Sequence, residues 1–219
     1  MSLYALKPRF QALLRPRVTR MAEAGYTANQ VTLGAAAGSL VVGLGVAFLS
    51  DLRILFLLLP VWLFIRMALN AIDGMLAREF GQKSLLGAYL NEIADVVSDA
   101  ALILPFATLP LFGPFWTGAV IVLAVISEFA GVMGPMVGAS RRYDGPLGKS
   151  DRAFLFGALG LWIGLGLPQP DWLFWLMPLA VLFLTLTIVN RVHKGLREAR
   201  SHQSVLRSDG IVENRKDAS

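Results

Sequence analysis

Six separate blocks of apolar residues, each long enough to approach the thickness of a bilayer, dominate this chain. A helix needs about 20 apolar residues to cross the roughly 30 Å hydrocarbon core. The blocks are residues 31–50, 54–77, 87–111, 115–137, 152–167 and 172–192, with short turns containing Pro and Gly between them. A water-soluble fold of this length could not bury a chain that is 55% hydrophobic and only 16% charged. The sequence therefore predicts an all-α polytopic membrane protein with six transmembrane helices.

Segments rich in lysine and arginine alternate with loops that have few or none. Five precede the first block, two lie between the second and third, four between the fourth and fifth, and seven from Arg191 onward. The loops around Gly113 and Gln169 have none, and the other two basic residues are Arg53 and Arg66. Because cytoplasmic loops carry the excess of basic residues, both termini and the second and fourth loops are predicted to be cytoplasmic. The net charge of +5 is then a topology signal and gives little support to nucleic-acid binding.

The two ends of the chain differ in pattern from the blocks between them. Residues 1–25 have scattered basic residues and no apolar core of signal-peptide type, so we expect them to be retained. Their apolar residues recur at helical spacing, which predicts an amphipathic helix lying at the membrane interface. The alternative is an amphipathic helix packed on the protein itself. Residues 193–219 are charged and poor in aromatics, and we expect a polar cytoplasmic tail that frays into disorder.

Cysteine is absent, which excludes disulfides, thiolate nucleophiles and zinc–thiolate sites. The two histidines, His193 and His202, both lie in the polar tail, where a solvated side chain is the expected role. Any metal site in the predicted spans must therefore use oxygen ligands.

Polar and small residues form one face on each of two consecutive spans. They are Asn70, Asp73 and Ala77 in the second block and Gly87, Asn91, Asp95 and Asp99 in the third. Spacings of three and four residues project side chains from the same side of a helix. Ionisable groups inside spans are costly and mark functional interiors, so Asp95 and Asp99 are predicted to face one. Asp73 lies nearer the interface and also fits a solvated position.

These two segments resemble the signature of the CDP-alcohol phosphotransferase (CDP-alcohol phosphatidyltransferase) family. That signature is D-x-x-D-G-x-x-A-R, about eight residues, then G-x-x-x-D-x-x-x-D, whereas this chain has N-x-x-D-G-x-x-A-R, eight residues, and G-x-x-x-N-x-x-x-D. The fixed positions match at Asp73, Gly74, Ala77, Arg78, Gly87 and Asp95. Residues 27–32 are similar to the segment that opens the family's first span. The six-span plan extends the resemblance over residues 26–192.

The resemblance implies an enzyme of phospholipid biosynthesis that moves a phosphatidyl group from CDP-diacylglycerol to an alcohol and releases CMP. The acceptor alcohol could itself be phosphorylated, as glycerol phosphate is. The family also implies a homodimer, a bacterial inner membrane and an active site on the cytoplasmic side.

By the same resemblance Asp95 is the general base, and a divalent metal, Mg²⁺ or alternatively Mn²⁺ or Ca²⁺, binds at four positions. Those positions are Asn70, Asp73, Asn91 and Asp95. Asn70 and Asn91 replace two aspartates of the family. An Asn carbonyl still binds a hard cation, but each replacement removes one negative charge, so we expect weaker metal binding.

Three further groups of residues are assigned on the resemblance. Donor binding is expected at Thr27, Asn29, Thr32, Gly74, Ala77, Arg78 and Gly87. Gly74 and Ala77 are equally compatible with close helix packing. Acceptor phosphate is expected at Arg141, Lys149 and Arg152, for which the alternative is a plain topology anchor. The candidates for charge compensation are Arg66, Asp99 and Glu128, and the two carboxylates among them fit a structural hydrogen-bonding role as well.

Two other functions remain open at the level of sequence. A membrane transporter would explain the intramembrane carboxylates but not the D-G-x-x-A-R spacing. A family member that has lost catalysis and only binds nucleotide-lipid is favoured by Asn70 and Asn91 alone. Release of CMP from CDP-diacylglycerol separates these alternatives from the enzyme.

Overall fold

The computed structural model describes the backbone of residues 6–216 and the side chains of residues 10–203. Residues 1–5 of the predicted interfacial helix and residues 217–219 of the predicted tail lie outside the described residues. The described part of the chain has seven α-helices: α1 (Leu6–Glu23), α2 (Ala28–Phe48), α3 (Leu58–Glu79), α4 (Leu85–Ile103), α5 (Gly113–Val132), α6 (Lys149–Gly164) and α7 (Leu176–Lys216). Short 3₁₀ segments adjoin several of them, and the prediction of an all-α fold is confirmed.

Local hydrogen bonds set the starts of the helices that later form the site. At α2, Thr27 Oγ1 accepts from Gln30 N at 3.2 Å, and Gln30 Oε1 accepts from Thr27 N at 2.9 Å, which forms a capping box. At α4, Ser84 Oγ accepts from Gly87 N at 2.9 Å. Thr27, predicted to bind the donor, thus has a structural role in this fold.

An apolar core fixes one end of the bundle and leaves the polar residues at the other. Phe106 lies at its centre, with ring centroids 5.7 Å from Phe56, 6.0 Å from Phe112 and 5.3 Å from Phe156. Elsewhere α2 packs so closely on α4 that a Cβ at Gly43 would lie 2.1 Å from the carbonyl oxygen of Ala101. The end of α3 and the start of α4 are joined by the short turn of residues 80–84, which keeps the two motif segments close to each other.

Among the described residues, four helical segments are long and apolar enough to cross a membrane: Ala28–Phe48, Arg53–Glu79, Gly113–Val132 and Asp171–Gln203. They correspond to the first, second, fourth and sixth of the predicted blocks. The third block forms α4, which carries three carboxylates, and the fifth forms α6, which has 16 residues. Length and composition alone do not mark these two as spans, so the count of six stays a prediction.

The N-terminal helix α1 packs on the protein along part of its length. Leu14 and Val18 are buried against Met75 and Leu76 of α3, whereas Leu13 is 70% exposed. This packing is what the alternative interpretation of residues 1–25 predicts for one side of the helix. Contact of the exposed side with lipid stays a prediction.

The predicted disorder of the tail is wrong over most of its length. Instead of fraying after residue 192, α7 continues unbroken to Lys216. The reason lies in its charged residues, because Lys194, Glu198 and His202 each contact the loop of residues 138–148, hereafter loop 138–148. These contacts give the helix partners beyond the apolar span.

Candidate active site

A cavity of about 500 Å³ lies at the polar end of the bundle, among α3, α4, α6 and loop 138–148. It is lined by the four side chains predicted to bind metal, Asn70 and Asp73 from α3 and Asn91 and Asp95 from α4. The two polar faces recognised in the sequence therefore meet across one space. We call it the motif cavity.

Asp73 enters the motif cavity from a nearly buried position on α3. Its side chain is only 5% exposed, and its Oδ2 accepts a hydrogen bond from Thr32 Oγ1 at 2.8 Å. The same hydroxyl lies 3.0 Å from the carbonyl oxygen of Ala28, so its single proton is within reach of both acceptors. Thr32, predicted to bind the donor, thus holds the Asp73 carboxylate in one orientation.

Asp95 is held through one of its two carboxylate oxygens. Lys149 Nζ lies 2.5 Å, Arg66 Nη2 3.2 Å and Asn70 Nδ2 3.4 Å from Oδ1. Among the described residues, Oδ2 makes no hydrogen bond, and the side chain lines the motif cavity. The contacts therefore orient the carboxylate and leave its second oxygen available.

A chain of buried ion pairs continues from this point through the bundle. Asp99 accepts from Arg66 Nη1 at 2.5 Å and from Arg152 Nη2 at 2.8 Å. Glu128 lies 2.9 Å from Arg152 Nη2 and 3.4 Å from Arg191 Nη1. The three arginines are no more than 4% exposed, so their charges depend on these carboxylates. All three residues proposed for charge compensation belong to this chain of pairs.

Two features of the ion-pair chain differ from what the sequence suggested. Arg152, an acceptor-binding candidate, is buried in ion pairs and does not line the motif cavity, whereas Arg141 and Lys149 do. Arg191 does line the cavity, although the sequence counted it only among the basic residues of the tail. The sequence feature that could have identified Arg191 is its position inside the last apolar block, near the end, because Arg66 likewise lies inside the second block.

A second cavity of about 410 Å³ adjoins the first, and we call it the donor cavity. Its lining includes six of the seven residues predicted to bind the donor: Asn29, Thr32, Gly74, Ala77, Arg78 and Gly87. The two cavities share Asp73, Gly74, Arg78 and Asn91. Arg78 is exposed and makes no ion pair with any described residue, so its guanidinium is free to bind an anion.

The two motif glycines stand where a side chain would close the space. A Cβ at Gly74 would lie 2.8 Å from Arg78 Nη2, and one at Gly87 would lie 2.8 Å from Asn29 Oδ1. Both neighbours are polar groups of the donor cavity. Small residues here therefore serve the cavity as well as helix packing.

An apolar groove of about 760 Å³ runs between α3 and α6. Leu63, Met67 and Phe154 are among the side chains along it, and Asn70 and Lys149 stand at its polar end. Since the same two residues line the motif cavity, the groove and the cavity are continuous. The site thus offers an aqueous polar space joined to an apolar one.

Loop 138–148 forms the cytoplasmic wall of the motif cavity by the predicted topology. Arg141 pairs with Glu92, and its guanidinium carbon lies 4.9 Å from the centre of the Tyr143 ring. Asp144 lies 2.6 Å from Arg142 Nη2 and 2.9 Å from Lys194 Nζ. Partial burial opposes ionisation of Asp144, but the hydrogen bonds from Lys194 and Arg142 hold the pKa of its carboxyl below the ordinary value.

The donor set of the motif cavity suits a hard divalent cation. Two carboxylates and two amide groups face one space, and carboxylate and amide carbonyl oxygens are the ligands that such cations prefer. Among the described residues no three acidic, histidine or cysteine side chains are clustered as a metal site would have them. A cation bound here would draw on the carbonyl oxygens of Asn70 and Asn91 beside the Asp73 carboxylate.

Comparison with known proteins agrees with this arrangement. The family model for CDP-alcohol phosphatidyltransferase matches residues 26–189. The inner membrane protein YnbA of Escherichia coli strain K12 is 46% identical over 199 residues, which cover 90% of this chain and 97% of that protein.

Solved structures share the fold. The phosphatidylinositol phosphate synthase PgsA1 of Mycobacterium tuberculosis, in complex with manganese and citrate, superposes with a TM-score of 0.69 at 20% identity, covering 83% of this chain and 88% of that one. Its structure with CDP-DAG bound gives a TM-score of 0.68 at 22% identity, covering 82% and 92%.

Proposed function

This chain belongs to the CDP-alcohol phosphatidyltransferase family, and from that premise we propose that it transfers a phosphatidyl group from CDP-diacylglycerol to an alcohol and releases CMP. The convergence of the four motif side chains from α3 and α4 on one cavity carries the proposal. The binding of CDP-DAG by the structurally similar synthase supports the choice of donor. Asn70 and Asn91 make this chain a variant within the family.

The shape of the site fits a donor that is polar at one end and apolar at the other. The cytidine and its phosphates would occupy the donor cavity, where Gly74 gives room and Arg78 is free to pair with phosphate. The acyl chains would lie in the apolar groove between α3 and α6. The scissile phosphate then falls between them, beside Asn70 and Asp73.

Asn70, Asp73 and Asn91 would hold a divalent cation, which when bound neutralises pyrophosphate charge and stabilises the leaving CMP, whereas Asp95 serves as the base. The manganese in the similar synthase supports a divalent ion of the Mg²⁺ or Mn²⁺ class. The residues present fit one such ion with fewer charges than four aspartates would supply.

The reaction needs one proton acceptor and one oriented alcohol. The hydroxyl oxygen of the acceptor bonds to the phosphatidyl phosphorus, the bond from that phosphorus to the CMP oxygen breaks, and the hydroxyl proton passes to Asp95. Oδ2 of Asp95 is the oxygen that would take it, since Lys149, Arg66 and Asn70 hold Oδ1. Those contacts supply the fixed geometry that an in-line attack requires.

The acceptor would bind on the loop side of the motif cavity. Arg141 and Lys149 line it, and Arg191 reaches it from α7. A phosphorylated alcohol, of which glycerol phosphate is an example, would gain charge-assisted hydrogen bonds from these cations that a neutral alcohol would not. Arg152 would support this wall through the hydrogen bond that its Nη1 donates to the carbonyl oxygen of Leu147 at 3.3 Å.

The membrane arrangement that goes with this function has six spans and both termini in the cytoplasm. The alternation of basic residues supports that topology, and it places both cavities on the cytoplasmic side. The similarity to an inner membrane protein supports a bacterial inner membrane. We also expect a homodimer, as the family resemblance implies.

A mass-spectrometric screen of lipid products tests the proposal. Purified protein is incubated with CDP-diacylglycerol, Mg²⁺ or Mn²⁺, and a panel of alcohols and phospho-alcohols. A new phosphatidylated lipid with one acceptor, formed together with CMP, is the expected result. Donor binding without any product would favour the binding-only alternative, and absence of both would overturn the proposal.

A further inference from the structure

One face of α7 carries five polar residues that all contact loop 138–148. They are Thr187, Arg191, Lys194, Glu198 and His202, spaced by three or four residues, and we call them the α7 stripe. Such spacing places side chains in one line along a helix. The start of the tail, which the sequence predicted to be disordered, therefore packs against loop 138–148 and holds it in place.

Glu198 contacts both the main chain and the side chains of the loop. Its Oε1 accepts from the backbone N–H of Ser140 at 2.9 Å, and its Oε2 accepts from Ser140 Oγ at 2.9 Å. Oε2 also pairs with Arg142 Nη1. A carboxylate that accepts a backbone N–H, a hydroxyl and a guanidinium fixes both the main chain and a side chain of the loop.

The rest of the stripe holds the following part of the loop. Lys194 Nζ lies 2.9 Å from Asp144 Oδ1, and Arg191 Nε donates to the carbonyl oxygen of Asp144 at 3.2 Å. Thr187 Oγ1 accepts from Leu147 N at 3.2 Å. Gly145 fits against Thr187 with a φ of +128°, where a Cβ would lie 2.5 Å from the threonine side chain.

The supported loop belongs to the motif cavity alone. Arg141, Tyr143, Gly145 and Gly148 line the motif cavity, and no residue of loop 138–148 lines the donor cavity. A shift of the loop would therefore move groups on the acceptor side directly, and it would reach the donor cavity only through the ion pair of Arg141 with Glu92.

We propose that Glu198 is a positioning residue for acceptor binding, which it serves by holding the loop that carries Arg141 and Tyr143. This role rests on the proposed function, because it assigns the loop side of the motif cavity to the acceptor. Glu198 touches neither cavity itself. Its effect passes entirely through Ser140 and Arg142.

The test compares Glu198→Ala with His193→Ala, which changes an exposed residue of the same helix that makes no hydrogen bond or ion pair with any described residue. Glu198→Ala should raise the acceptor KM about tenfold and leave the donor KM and kcat within about twofold, since the groups that move directly are on the acceptor side. Glu198→Gln retains one acceptor oxygen for Ser140 and loses the ion pair with Arg142, so its acceptor KM should lie between those of Glu198→Ala and wild type.

Limited proteolysis gives an independent readout in the intact, detergent-solubilised protein. Trypsin should cut after Arg141 or Arg142 about tenfold faster in Glu198→Ala than in His193→Ala, because release of the loop exposes those bonds. Fragment masses identify the cut.

Unchanged cleavage together with an unchanged acceptor KM would overturn the role of Glu198. Faster cleavage with equal rises in the donor and acceptor KM values would overturn the assignment to the acceptor. If the wild-type protein releases no CMP, the proposed function and the acceptor role fail together, and proteolysis still decides whether Glu198 holds the loop.

Discussion

Asp99 is the carboxylate that joins two buried arginines, and its replacement by asparagine should destabilise the whole bundle. It lies 2.5 Å from Arg66 Nη1 and 2.8 Å from Arg152 Nη2, and those guanidinium groups are 4% and 2% exposed. Asparagine has nearly the same shape but no charge. The change therefore removes one of the two carboxylates that each of these buried cations contacts, with little change in packing.

Removing one partner of a buried ion pair costs about 3–5 kcal/mol. Here Arg66 keeps Asp95 and Arg152 keeps Glu128. We therefore expect a loss at the lower end, about 3 kcal/mol, which corresponds to a fall of roughly 6–12 °C in Tm for a chain of this size.

Thermal unfolding in detergent, followed by intrinsic tryptophan fluorescence, measures the loss. Asp51→Asn is the matched control, because Asp51 is exposed and its side chain pairs with no described residue. Combining Asp99→Asn with Arg152→Met should cost less than the sum of the two changes, since the second removes one of the uncompensated cations. A Tm for Asp99→Asn within about 1 °C of the control would refute the ion-pair chain as a source of stability.

Four further predictions concern the site and its loop. Asn70→Asp with Asn91→Asp should tighten Mn²⁺ binding at least about tenfold in a titration, because two negative charges are added beside Asp73, and unchanged binding would mean that these positions do not face metal. Asp73→Asn should weaken Mn²⁺ and donor binding together, so normal donor affinity would contradict its assignment. Lys149→Ala should raise the acceptor KM about tenfold more than the donor KM, whereas a mere topology anchor would lower the amount of inserted protein and leave both KM values unchanged. The folded pKa of Asp144 is lowered, so its contribution to the stability of the loop is complete above the unfolded pKa and is lost only as the pH falls through the lower folded value. Protection of the loop in hydrogen exchange, corrected for intrinsic rates, should therefore persist at roughly pH 4. Loss of this protection near pH 5 would be inconsistent with the lowered pKa.

Periodicity was sufficient to predict the polar faces that form the site. Three- and four-residue spacing placed Asn70 and Asp73 on one side of a helix and Asn91 and Asp95 on one side of the next, and the structure brings these four to one cavity. This worked because spacing along a helix fixes side-chain direction before any tertiary contact forms.

Contacts between side chains that are far apart in the sequence could not be predicted from periodicity. Arg152 is a basic residue at the end of a loop, as a residue that binds the acceptor phosphate would be. Only the placement of Asp99 and Glu128 shows that it is buried between carboxylates. Composition likewise predicted a disordered tail, because a charged run has no apolar face to pack. The spacing of Arg191, Lys194 and Glu198 was visible, but their partners lie about 50 residues away in the chain.

Release of CMP from CDP-diacylglycerol, measured for the wild-type protein and for Asp95→Asn with a phospho-alcohol acceptor present, tests the central claim most directly. Wild-type protein should release CMP in step with a new phosphatidylated lipid, and Asp95→Asn should bind the nucleotide donor yet release none, because only the chemical step needs the base. Turnover by Asp95→Asn at the wild-type rate, or folded wild-type protein that releases no CMP with any acceptor, would contradict the account.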